Sequence, residues 1–217
     1  MKTFLSIGAG PGMGFATAER FAKEGFQVIL SARNAAKTKE LADQLKAKGY
    51  KAEARTVDTS DPASVAKLVS DVEKMAGAID VIHYNAASMR KAAIGEQPAP
   101  TFNEDLAVNI GGAQVAVQAA APKMFERGEG TILLTGGGFA LQPSPDYLSL
   151  SIGKAGIRAL AQGLFDSFKA KGVHVATVTV AAFVDPGSKA SEAVAEQFWQ
   201  LHRQPKSAWT VESTYSG

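Results

Sequence analysis

The sequence contains no cysteine, which excludes disulfide staples, thiolate metal sites and cysteine nucleophiles. Its only histidines, His83, His174 and His202, are far apart and show no metal-ligand spacing. An excess of one charge is lacking too. The 23 basic and 21 acidic residues leave a formal net charge of +2, and the basic ones are scattered, which argues against a nucleic-acid surface. The longest charge-free stretch, Leu106 to Pro122, contains Asn109, Gln114 and Gln118 and falls short of a membrane span. The apolar opening, Met1 to Ile7, is too short for a signal peptide and breaks at a glycine loop, which fits a first buried strand. A soluble, cytoplasmic chain without membrane or nucleic-acid partners is the expectation.

With 217 residues, of which 46% are hydrophobic, and no Pro/Ser-rich or charge-rich linker, the chain suits one compact α/β domain over 1–217. Short apolar runs alternate with longer helical stretches. Strands are expected at Thr3–Ile7, Gln27–Ser31, Lys51–Val57, Ile79–His83, Thr131–Thr135 and Val173–Val180. Helices are expected over about Gly12–Lys23 and Ala35–Lys48, from Asp61-Pro62, from near Phe102, and over Leu148–Lys169 and Lys189–His202. This alternation implies right-handed crossovers and a doubly wound parallel sheet of the Rossmann type, with ligands at the carboxyl ends of the strands.

The first strand runs into Gly8-Ala9-Gly10-Pro11-Gly12-Met13-Gly14. Residues without a Cβ let backbone amides approach a pyrophosphate, and the helix that follows directs its positive end at the same charge. Gly8, Gly10, Gly12, Met13 and Gly14 are therefore candidate cofactor-binding residues. A dinucleotide site for NAD usually places an acid after the second strand, to bond the ribose 2′-hydroxyl. Here the residues are Ser31-Ala32-Arg33-Asn34. Arg33 suits a 2′-phosphate, so NADP is expected in preference to NAD. A solvated arginine at a helix entrance is the plainer alternative.

The Gly8/Gly12/Gly14 spacing resembles that of the short-chain dehydrogenase/reductase family, and further motifs follow in order. Val57-Asp58 is similar to the family's acidic contact to adenine. Asp80 to Ala87 resembles its fourth strand and Asn-Asn-Ala-Gly motif, with Asn85 and Ala86 retained. Val108-Asn109 lies where the family places an active-site asparagine, and Lys154-Ala155-Gly156 looks like the end of its Tyr-x-x-x-Lys segment. The resemblance extends from Met1 to about Val180. It implies cofactor roles for Asp58, Asn85, Ala86 and Lys154, the last at the nicotinamide ribose, and catalytic roles for Asn109 and Lys154. Asn109 could equally be a buried structural amide, and Lys154 a surface lysine. The resemblance also implies a homo-oligomer, formed through helices such as the Ala/Gly-rich Ile110–Ala121.

The departures fall where the chemistry should be. Leu150 stands at the position of the proton-donating tyrosine, Gly137 at that of the catalytic serine, and Val180-Ala181 where relatives carry Pro-Gly. Losing a general acid costs about 10²- to 10⁴-fold in rate. Tyr147 is the nearest replacement hydroxyl, although helical geometry leans its ring away from Lys154. Tyr84, at a strand end, faces the ligand side of the sheet in this reading. His83 is expected in the sheet core or at its edge, and His174 on a strand surface. Phe198, Trp199, Leu201 and Trp209 are expected to cover the substrate end or form an interface, with 182–217 a short substrate-side segment.

Two functions follow from these expectations. One is an NADP(H)-dependent oxidoreductase for a small carbonyl or alcohol, with an atypical proton donor: water, Tyr147 or the substrate. The other is a non-catalytic NADP(H) sensor or partner subunit, which the pair Leu150 and Gly137 favours.

Overall fold

The computed structural model describes residues 1–217. In chain order the elements are β1 (Thr3–Ile7), α1 (Met13–Lys23), β2 (Gln27–Ala32), α2 (Ala35–Ala47), β3 (Ala52–Thr56), α3 (Pro62–Ala76) and β4 (Val81–Tyr84). Then come α4 (Ala99–Leu106), α5 (Gly112–Arg127), β5 (Gly130–Thr135), α6 (Leu148–Ala170), β6 (Val173–Val180), α7 (Lys189–Arg203) and β7 (Glu212–Tyr215). All seven strands join one parallel sheet in the order β3-β2-β1-β4-β5-β6-β7. The order reverses between β1 and β4, which opens a crevice at their carboxyl ends.

Buried β1 shows why both faces are needed. Leu5 and Ile7 point to the core shared with α3, α5 and α6, while Phe4 points to the core shared with α1, α2 and α7. Phe4 and Phe21 stack with ring centroids 4.3 Å apart. Full burial of one such side chain stabilises the fold by about 1.5–3 kcal/mol, so a strand buried on both faces is held firmly. Polar caps fix the helix entrances. Asn34 accepts from the Lys37 amide at α2, and Asp61 accepts from Ala63 with Pro62 in the first turn of α3.

The long central helix starts at Ala99, ahead of the expected Phe102. Pro98 caps it and Pro100 sits in its first turn, where a missing N–H costs nothing. A π-helical turn at Ala107–Gly111 joins α4 to α5 and carries Asn109. No helix is long and apolar enough to cross a membrane, and no group of three or more histidines and acids could hold a metal ion.

The C-terminal region corrects several expectations. β7, with the polar sequence Glu-Ser-Thr-Tyr, pairs with β6 and forms the sheet edge. His174 is therefore buried, not on a strand surface. Its Nε2 donates to the Thr210 carbonyl at 2.9 Å, and its ring stacks on Trp209 with centroids 4.7 Å apart. Phe198 and Leu201 are core residues packed with α1, and Trp199 stands edge-on to Phe21. These aromatic groups serve the core rather than covering a substrate. Within 182–217, Ala182 and Phe183 line the main cavity, whereas α7 lies against α1.

Candidate functional site

A cavity of about 800 Å³ lies at the carboxyl ends of the central strands, and residues following β1, β2, β3, β4, β5 and β6 line it. Its first wall is the glycine loop. The amides of Gly8 and Ala9 both donate to the Ser31 carbonyl, at 2.8 and 3.0 Å, which pins the loop to β2. Gly8 has φ +87°, and a Cβ there would collide with the backbone of Ala86. Only glycine meets both demands. Gly10 lines the cavity beside open space, and Gly14 packs tightly under Asn85. The amides of Gly12, Met13 and Gly14 have no backbone acceptor, no side chain caps α1, and no acid lies in its first turn. Free donors at a helix start suit a phosphate group.

At the far edge, Arg33 is exposed and lines the cavity. Asp58 stands beside it, outside the lining. Ser60 holds the Asp58 carboxyl below the usual range by donating from its hydroxyl and its amide, and the Arg33 charge adds to this.

Asn85 and Ala86 form the wall after β4. The Asn85 Nδ2 donates to the Gly8 carbonyl at 2.9 Å, and its Oδ1 accepts from the Thr135 hydroxyl at 3.0 Å. Since Thr135 spends its one proton there, the 2.9 Å bond between His83 Nε2 and Thr135 Oγ1 must be donated by the imidazole. The tautomer follows: Nε2 is protonated, and Nδ1, which has no partner, is bare. Burial, and secondarily the Lys154 charge, push the His83 pKa down to about 3. His83 is thus a neutral core residue that ties β4 to β5. Sequence reasoning missed Thr135, whose signal was its place at the end of the strand before the glycine run.

The third wall faces Lys154. Leu150 and Lys154 are one turn apart on α6, and both line the cavity. The Lys154 Nζ donates to the Thr135 carbonyl at 2.7 Å. Its side chain is 9% exposed, and burial pushes its pKa down to about 8. No carboxylate lines the cavity, and Arg33 and Lys154 are its only ionisable residues. Much of the lining is apolar, including Met89, Phe139, Leu141, Leu150 and Phe183, and Gln142 lines the cavity too.

The remaining candidates lie outside the lining. Tyr147 caps α6 and stacks on Phe139, with ring centroids 5.6 Å apart. Tyr84 does not face the ligand side: it is buried, and its hydroxyl donates to the Val108 carbonyl at 2.6 Å. Burial pushes its pKa up. Asn109 is buried and grips the backbone of Ser88, accepting from its amide at 2.7 Å and donating to its carbonyl at 3.1 Å. Beside it, buried Asp105 accepts from Ser88, Arg90, Gln97 and Ser149. Together they fix the loop after β4, from which Ala86, Ala87 and Met89 enter the cavity. Asp105 was detectable as an acid one turn before Asn109 on the same helix.

A crevice of this kind, at the reversal of a doubly wound sheet and walled by a glycine loop, defines a nucleotide-binding α/β protein. The chain matches the family model described as short chain dehydrogenase over residues 2–196, and it belongs to that family. It is 28% identical to the uncharacterized oxidoreductase YxbG of Bacillus subtilis, across 97% of this chain and 82% of that protein. It is 30% identical to a glucose 1-dehydrogenase of Gluconobacter oxydans, across 85% of this chain and 70% of that protein. The crystal structure of a short-chain dehydrogenase from Rhodopseudomonas palustris matches with a TM-score of 0.90 and 29% identity, covering 99% of this chain and 97% of that one. A metagenomic short-chain oxidoreductase in complex with NADP shares the fold, with a TM-score of 0.92 at 21% identity, covering 99% and 96% of the two chains.

Proposed function

We propose that this chain is an NADP(H)-dependent oxidoreductase acting on a small carbonyl or alcohol whose surroundings are apolar, without the family's tyrosine. The observation that carries this reading is one continuous cavity that joins free helix-start amides and Arg33 to buried Lys154 and contains no acid. A polyanionic cofactor fits such a lining, because every charged group in it is positive.

In this reading the Gly12–Gly14 amides hold the pyrophosphate, Arg33 pairs with the 2′-phosphate, and Asp58 and Val57 flank the adenine. Asn85 and Ala86 form the wall at the adjoining ribose, and Lys154 bonds the nicotinamide ribose hydroxyls. The bound nicotinamide supplies or takes a hydride. Met89, Leu141 and Phe183 are exposed apolar side chains in the cavity lining and offer the substrate an apolar surface. Asn109 acts through Ser88 as a positioning residue. Tyr147, outside the cavity lining and stacked on Phe139, is given no part in the chemistry in this reading.

The second reading, a non-catalytic NADP(H) sensor, is favoured by Leu150 and Gly137, which present no hydroxyl at the expected places. Following NADPH absorbance against a series of aryl and alkyl aldehydes and ketones separates the two. Turnover above the protein-free rate supports the oxidoreductase, whereas tight NADPH binding without turnover supports the sensor. Absence of NADPH binding contradicts both.

A further inference from the structure

We propose that Lys154 is itself the proton donor to the substrate oxygen, a catalytic role that rests on the oxidoreductase reading. Elimination within the cavity leads there. Its ionisable residues are Arg33 and Lys154, and an arginine does not release its proton near neutral pH. Of the two hydroxyls in the lining, that of Thr135 has its proton committed to Asn85, and that of Thr59, after β3, bonds the buried Tyr84 hydroxyl. Tyr147 and Tyr84 lie outside the lining, the latter donating to Val108.

The geometry of Lys154 suits the task. An ammonium group has three N–H donors, and one is used on the Thr135 carbonyl at 2.7 Å. Two remain for partners in the cavity that Lys154 lines, one for the nicotinamide ribose and one for the substrate oxygen. No carboxylate neutralises the charge from any wall of the cavity. His83, from β4, is the titratable group that faces Lys154, and it stays neutral at working pH. The π-helical turn contributes the amide Asn109, committed to Ser88, and Asp105 behind it is taken up by its own donors. β5, β6 and the loop after β5 add no ionisable side chain to the lining. A buried ammonium without a counter-ion gives up its proton more readily than one in water, and the Lys154 pKa accordingly falls to about 8.

The step balances simply. As the carbonyl carbon accepts the hydride, the π electron pair moves onto the oxygen. That oxygen takes a proton from Nζ: one N–H bond breaks and one O–H bond forms. Nζ is left as a neutral amine that still donates to the Thr135 carbonyl, and a solvent proton entering through the open mouth restores the ammonium. Reduction needs the charged form, so its rate falls as pH rises through about 8. Oxidation of the alcohol needs the neutral form and rises over the same range.

The test uses the whole protein, NADPH and 4-nitrobenzaldehyde as the probe carbonyl, with Lys154→Arg as the key variant. Arginine keeps the charge but does not release a proton. NADPH affinity is measured by fluorescence, and the Lys154 Nζ is titrated by ¹⁵N NMR. The expected result is a Lys154 titration near 8 and a reduction rate that breaks at the same pH. Lys154→Arg should bind NADPH within about tenfold of the parent. It should lose about 10²- to 10³-fold in kcat and lose the break. A variant as active as the parent, a rate without that break, or an ordinary lysine titration overturns the assignment. NADPH binding with no turnover at any pH also overturns it while leaving the cofactor site intact. Failure of the parent to bind NADPH overturns the oxidoreductase reading as well.

Discussion

The stem of Lys154 lies across Gly137: a Cβ placed on that glycine would stand 3.2 Å from Lys154 Cγ and 3.4 Å from both Cδ and Cε. The missing side chain at 137 gives the lysine room to settle onto the Thr135 carbonyl. Gly137→Ser should crowd the stem, lift Nζ toward solvent and raise the Lys154 pKa from about 8 toward the free-lysine value. An NMR titration of Nζ checks this, and an unchanged pKa would contradict it.

Leu150→Tyr restores a hydroxyl one turn from Lys154 on the same face of α6. A phenol remains protonated to about pH 10, well above the range in which Lys154 loses its proton. The alkaline fall in the reduction rate should therefore move upward from about 8, with little gain at neutral pH. The pH profile of kcat decides, and a profile superimposable on the parent's would count against the proposed site.

Arg33→Ala should weaken NADPH binding by about 10- to 100-fold, the loss expected for charge-assisted bonds to one phosphate. NADH lacks that phosphate, so its affinity should change little. Fluorescence titration with both cofactors measures the difference. Equal losses for NADPH and NADH would place the 2′-phosphate elsewhere.

Asn109→Ala removes both bonds to the Ser88 backbone. Leaving those groups unpaired costs about 1–3 kcal/mol of stability. Amide exchange at Ser88 should quicken, and kcat/KM should fall because Ala86, Ala87 and Met89 lose their anchorage. Urea denaturation and hydrogen exchange test the claim, which an unchanged Ser88 exchange rate would refute.

Buried His83 and partly buried His202 set the acid side of stability, and buried His174, also pushed down by burial, adds in the same direction. Burial pushes His83 down to about 3 and His202 down to about 4, the charge of Lys154 adding in the first case and those of Lys2 and His174 in the second. In the unfolded chain both titrate near about 6.5. The unfolded state therefore binds more protons between these values. Stability is fully present above about 6.5 and declines as pH falls toward about 4 and about 3, with a slope approaching 1.4 kcal/mol per pH unit for each group. Urea titrations at pH 7 and 5 measure it, and equal stabilities would show that the histidines are hydrated in the fold.

Much of the fold was legible because its signals are local. Apolar runs such as Thr3–Ile7 mark strands buried on both faces, and Asp61-Pro62 announces a helix start through cap chemistry. β7 was hidden because Glu-Ser-Thr-Tyr lacks an apolar pattern, and its pairing with β6 depends on residues distant in sequence. The same blindness misplaced His174 and Trp209, whose stack exists only once β7 is in place. In the site, Gly8 and Arg33 were legible from their position after a strand. The His83–Thr135–Asn85 chain was not, since it joins three residues through tertiary contact alone.

The most direct measurement of the central claim is a calorimetric titration of the protein with NADPH and, separately, with NADH. The account predicts saturable binding at one site per chain, with NADPH at least about tenfold tighter than NADH. Absence of NADPH binding at about millimolar concentration, or a preference for NADH, would contradict it.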